Sequence, residues 1–155
     1  ITFLWLLLDR ECKKRGKNYL FINASLSWMF LILESEDIME QVSYLNYKKA
    51  KLVFFPVNNA TLDEVSDSGT HWSLLVLNQE TKQLSHYDSA HNFNLQAARQ
   101  MHAKIGDIFG KDIQFVSKQT PQQENGSDCG VFVYAVAEGE EYVDIIINGT
   151  EKKAD

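Results

Sequence analysis

Cysteine and proline are the scarcest signals in this chain: each occurs twice in 155 residues. Two cysteines, Cys12 and Cys129, cannot build a disulfide framework, and they lack the spacing of a zinc site. No metal or other cofactor is therefore expected, and a reducing compartment, cytoplasm or nucleus, is the simpler setting. The four Asn-x-Ser/Thr sequons, at Asn23, Asn59, Asn125 and Asn148, then read as chance. Basic stripes are also missing. The net charge is −6, from 15 basic and 21 acidic side chains, and the basic clusters are short: Lys13, Lys14 and Arg15, then Lys48, Lys49 and Lys51. That composition excludes a nucleic-acid groove. Long apolar runs are absent too. The opening ITFLWLLLDR is apolar for only its first eight residues, too short for a bilayer and without signal-peptide flanks. It reads as a buried helix, and no membrane partner is expected.

What remains is ordinary globular material, 45% hydrophobic and 23% charged, in one domain covering 1–155. No repeat, linker or low-complexity tract interrupts it. The first third reads as helical, with Ser25 a cap for LSWMFLIL and Ser35 a cap for EDIMEQVSYLNY. KLVFFPV, HWSLLVL and KQLSHYD read as strands, the first two apolar enough to lie inside a covered sheet. Asn78, Gln79, Glu80 and Thr81 suit a hairpin turn between the last two. Residues 58–69 read as an exposed loop. Over 94–109 the spacing of Leu95, Ala98, Met101, Ile105, Ile108 and Phe109 predicts a helix stopped by Gly110. IQFVS is a further strand, and 129–137 reads as a buried helix. The order predicts an α+β fold.

Three residues on these elements carry chemistry. His71 heads one strand, Asp88 closes the next, and Cys129 opens a helix in QQENGSDCGVFVY. A thiol attacks as its thiolate, and a helix N-terminus and an imidazolium both favour that anion. His71 would pair with the sulfur and then protonate a leaving amine, while Asp88 would orient the ring. The hairpin makes these two neighbours, because antiparallel strands set the head of one beside the tail of the other. Gln123 and the backbone N–H of Cys129 could supply oxyanion donors, and Gly130 leaves room for a substrate backbone. Asp128, whose charge would oppose a thiolate, reads as a capping or structural residue. Cys12 reads as an idle thiol in a charged loop, and His86, His91 and His102 as surface or packing residues.

GTHWSLLVL, HYDSA and PQQENGSDCGVFVY together resemble the Ulp1/sentrin-specific cysteine protease family, over about residues 51–137. Their wording is closest to its NEDD8-specific branch. The resemblance implies a papain-like or adenain-like α+β fold with a central mixed sheet flanked by helices. It also implies cleavage after the C-terminal diglycine of a ubiquitin-like protein, with NEDD8 and its conjugates, such as cullins, as partners. By position it makes Cys129 the nucleophile, His71 the base, Asp88 its orienter and Gln123 the oxyanion donor. Trp72 would roof a narrow channel for the diglycine tail. The family's Trp-Leu-Asn-Asp segment is not found, which implies a domain without its N-terminal start. SUMO cleavage, a non-catalytic module that binds a ubiquitin-like protein, and acyl transfer to a protein stay open as alternatives.

Overall fold

The most apolar segments become the middle of a sheet. The computed structural model describes residues 2–60 and 71–139. Its strands are β1 (Tyr19–Phe21), β2 (Leu52–Asn58), β3 (Trp72–Asn78), β4 (Gln83–Tyr87) and β5 (Gln114–Lys118). They lie side by side in chain order. The outer pairs, β1 with β2 and β4 with β5, are parallel, and the inner pairs are antiparallel. The sheet is mixed, and with its helices the class is α+β.

Side chains alternate across each strand, so β2 and β3 feed two cores. Val53, Phe55, Val57, Leu75 and Leu77 face one cluster, which α2 (Ala24–Ile32), α3 (Ser35–Val42) and α4 (Leu95–Phe109) complete. Leu52, Phe54, Leu74 and Val76 face the other, under α1 (Thr2–Lys14) and a helix at 129–139, α5. Both parallel connections are carried by helices on the first face, as a crossover requires. Pro56 is tolerated inside β2 because β1 pairs only as far as Phe54, leaving that side of Pro56 without a strand to bond.

Several local expectations are corrected. α1 is one-sided: Trp5, Leu8 and Cys12 are buried, while Phe3 and Leu6 are exposed. Cys12 therefore belongs to the core, not to a charged loop. The helix then stops as glycine dictates. Gly16 takes φ +69, its N–H bonds Lys13 O and that of Lys17 bonds Cys12 O, at 3.0 and 2.9 Å. Asn23, rather than Ser25, caps α2 by accepting the Leu26 N–H at 2.8 Å. Ser35 is the first residue of α3, preceded by Glu34, and its hydroxyl instead donates to Asp107 Oδ2 at 2.6 Å. α5 is likewise amphipathic: Cys129, Val133 and Ala137 are buried and Val131 is exposed. β1 is a strand within the third of the chain expected to be helical. The expected loop at 58–69 lies mostly outside the described residues.

Candidate active site

The β3–β4 hairpin forms as its turn chemistry requires. Asn78 Oδ1 accepts the N–H groups of Glu80 and Thr81 at 3.0 and 3.1 Å, and Leu74 sits opposite Tyr87 at the open end. His71, just before β3, and Asp88, just after β4, therefore emerge together. His71 Nε2 and Asp88 Oδ1 are 2.5 Å apart, with side chains 6% and 0% exposed. A carboxylate sealed from water needs several donors. Asp88 receives Ala90 N–H on Oδ1 at 2.9 Å and Asn94 N–H on Oδ2 at 2.8 Å. Because Nε2 is committed to Asp88, Nδ1 of His71 is the ring atom left to exchange protons.

Asn94 is the organising residue that the sequence did not reveal. It is buried, and its Nδ2 lies 3.2 Å from both Val57 O and His71 O and 3.3 Å from Ser73 Oγ. One side chain thus holds the backbone of the histidine, while its own N–H holds the aspartate. Asn59 Oδ1 adds a bond from the His71 N–H at 3.2 Å. Ser73 Oγ continues the network to His86 Nε2 at 2.9 Å. His86 is fully buried, and its pKa is lowered to about 4. Burial is the main cause; Asp88 pulls it up and His71 pushes it down. His86 is therefore neutral packing at physiological pH. Its Nδ1 and Asn94 Oδ1 lack partners among the described residues. His91 is exposed, and His102 is half-buried with Nε2 on Ile113 O.

The segment before α5 is bonded to the end of β4. Gln123 N–H donates to Ser89 O at 2.9 Å, and Ser89 Oγ donates to Gln123 Oε1 at 2.5 Å. Gln122 reaches the same place: its amide donates to Asp88 O at 3.1 Å and accepts the His91 N–H at 2.6 Å. Cys129 follows six residues after Gln123, as the first helical residue of α5, and it is 7% exposed. The structure brings His71 and Asp88 into contact, and Cys129 is a buried thiol outside any disulfide. Gln123 Nε2 gives one hydrogen to Asn125 O at 2.7 Å, leaving its second for another acceptor. Asn125 Nδ2 donates to Asp128 Oδ2 at 2.7 Å, tying that carboxylate into the loop. Phe132 N–H bonds Asp128 O at 3.1 Å, the first helical bond of α5.

Trp72 is half-buried and packs on the cluster that α5 covers. At Gly130 an added Cβ would meet nothing within 4 Å, so the backbone beside the sulfur borders open space. Among the described residues no group of three His, Cys, Asp or Glu side chains could hold a metal ion, and no helix is long and apolar enough to cross a membrane. A buried acid–imidazole pair, a thiol at a helix start and an amide donor can together support nucleophilic acyl chemistry.

Residues 36–139 match the Ulp1 protease family, C-terminal catalytic domain. Among curated relatives, NEDD8-specific protease 1 of Arabidopsis thaliana is 34% identical over 116 residues, 71% of this chain and 50% of that one. The probable sentrin-specific protease 8 of Dictyostelium discoideum is 29% identical over 141 residues, 85% of this chain and 57% of that one. This chain thus spans about half the length of those relatives. Among solved structures, the SUMO protease Ulp1 superposes with a TM-score of 0.63 at 19% identity, over 87% of this chain and 63% of that one. The Xanthomonas campestris effector XopD bound to ubiquitin gives 0.63 at 22% identity, over 86% and 67%.

Proposed function

The chain belongs to the Ulp1 protease family, and from that premise we propose that residues 1–155 form a single cysteine protease domain that cleaves after the C-terminal diglycine of a ubiquitin-like protein. NEDD8 is the substrate we favour, because NEDD8-specific proteases from two organisms are 34% and 32% identical over 71% and 70% of this chain. Both processing of a precursor and release from conjugates such as cullins use the same bond chemistry. The work belongs in cytoplasm or nucleus, where a thiol such as Cys129 stays reduced.

The observation that carries this reading is the buried His71–Asp88 pair, to which the segment leading into Cys129 is bonded through Ser89 and Gln123. In the proposed reaction His71 Nδ1 takes the Cys129 proton, and sulfur attacks the carbonyl carbon of the terminal glycine. The oxyanion is met by Gln123 Nε2–H and the Cys129 N–H. Collapse breaks the C–N bond, His71 delivers its proton to the departing amine, and a thioester remains. Water, deprotonated by His71, then releases the glycine carboxylate. Asp88 keeps the ring oriented throughout. Trp72 would cover the tail, admitting residues without side chains.

The test uses NEDD8 and SUMO bearing a C-terminal electrophile, side by side. A covalent adduct with NEDD8 that disappears in Cys129→Ala is expected. No adduct with either protein, or one that persists in the variant, rejects the reading; preferential labelling by SUMO reassigns the substrate.

A further inference from the structure

Resting on the protease reading above, we propose that Phe93 is a specificity-determining contact on the leaving-group side, packing against the aliphatic stem of the lysine whose ε-amine departs when an isopeptide conjugate is cut. Large apolar side chains are normally withdrawn from water, yet Phe93 is 61% exposed. It also touches the imidazole directly: its centroid lies 5.7 Å from that of His71, edge to face at 77°.

The turn that presents Phe93 is conformationally costly. His91 and Asn92 take φ +47 and +62, two consecutive non-glycine residues in the left-handed region, which side-chain-bearing residues uncommonly adopt. Their conformation is held by His91 N–H on Gln122 Oε1, Phe93 N–H on Ala90 O and Leu95 N–H on Asn92 O. Stability alone does not account for a strained, well-bonded turn that projects an aromatic ring into solvent.

Proximity to His71 says what the ring meets. His71 must deliver its proton to the departing nitrogen, so that nitrogen comes within about 3 Å of the ring. Whatever is attached to it extends past the imidazole. In an isopeptide that attachment is four methylene groups, an apolar stem that packs well on an aromatic face. In a linear precursor it is a polar backbone, which gains less. Phe93 therefore favours conjugates over precursor tails.

The experiment compares wild type, Phe93→Ala and Phe93→Leu on three forms of NEDD8: joined by an isopeptide bond to a lysine peptide, extended as a linear precursor, and carrying a C-terminal electrophile without a leaving group. Phe93→Ala is expected to lower the ratio of isopeptide cleavage to electrophile labelling by about 5–10-fold, with Phe93→Leu retaining most of it. An unchanged ratio in Phe93→Ala overturns the proposal while leaving the protease reading intact. An equal fall in all three reactions also overturns it, because Phe93 would then be acting through His71 or the fold. A wild type that neither labels nor cleaves defeats the protease reading and this proposal with it.

Discussion

The two ends of the β3–β4 hairpin bury side chains equally well and for opposite reasons. Toward the turn, the facing pair Leu77 and Leu84 is fully buried in an apolar cluster with Phe55, Met101 and Ile105. Each such side chain stabilises the fold by roughly 1.5–3 kcal/mol. Toward the open end the buried polar groups are His71, Ser73, His86 and Asp88, with Asn94 beside them at the start of α4. Burial there costs stability unless every group finds a partner, and most of the hydrogen bonds at that end serve only to offset desolvation. The hairpin is thus a rigid apolar lever with a polar tip. A site that needs fixed geometry gains it from the half of the hairpin that has none of the chemistry.

This contrast can be broken from either end. The largest effect is expected at the polar tip. Asp88→Asn keeps the shape but removes the charge paired with His71, and the proposed cleavage of NEDD8 should fall by about 10⁴-fold in kcat/KM, measured on folded protein. A loss below about tenfold would show that the pair does not serve the chemistry. At the apolar end, Phe55→Ala should lower unfolding free energy by about 3–5 kcal/mol in a denaturant titration, with activity per folded molecule little changed. The smallest effect sharpens the comparison by pH. His86 binds a proton below about 6.5 when unfolded but only below about 4 when folded. The unfolded chain holds more protons in that window, so stability falls as pH drops through it and levels off below about 4. The full loss should amount to about 3 kcal/mol. His86→Gln should remove that part of the slope; an unaltered slope would place its origin elsewhere.

The apolar end was legible in the sequence and the polar tip only in part. KLVFFPV and HWSLLVL announce covered strands because unbroken apolar runs have no other low-energy place, and the helix over 94–109 announces itself by its period and its terminal glycine. His71 and Asp88 could be paired because a short turn leaves the two strands no choice but to run antiparallel. Asn94 could not be found in this way. An asparagine in HNFN looks like any loop residue, and its importance comes from three acceptors at Val57, His71 and Ser73 that only folding collects. β1 escaped for a related reason: three residues have no periodicity, and Tyr19–Phe21 becomes a strand by pairing with a segment more than thirty residues away. The cap of α2 was misplaced because Asn23 and Ser25 compete near its start, and at α3 the Ser35 hydroxyl is taken by a tertiary contact with Asp107.

By itself the sequence determined the composition of the cores, the hairpin, the long helix and the identities of the nucleophile, base and acid candidates, since each follows from residue type and local spacing. Tertiary structure decided which polar groups hold those candidates still, which face of each helix is wet, and that a phenylalanine stands in solvent against the imidazole. Those are questions of partnership at long sequence separation, where the free energy of a buried polar atom depends on a neighbour that no local pattern names.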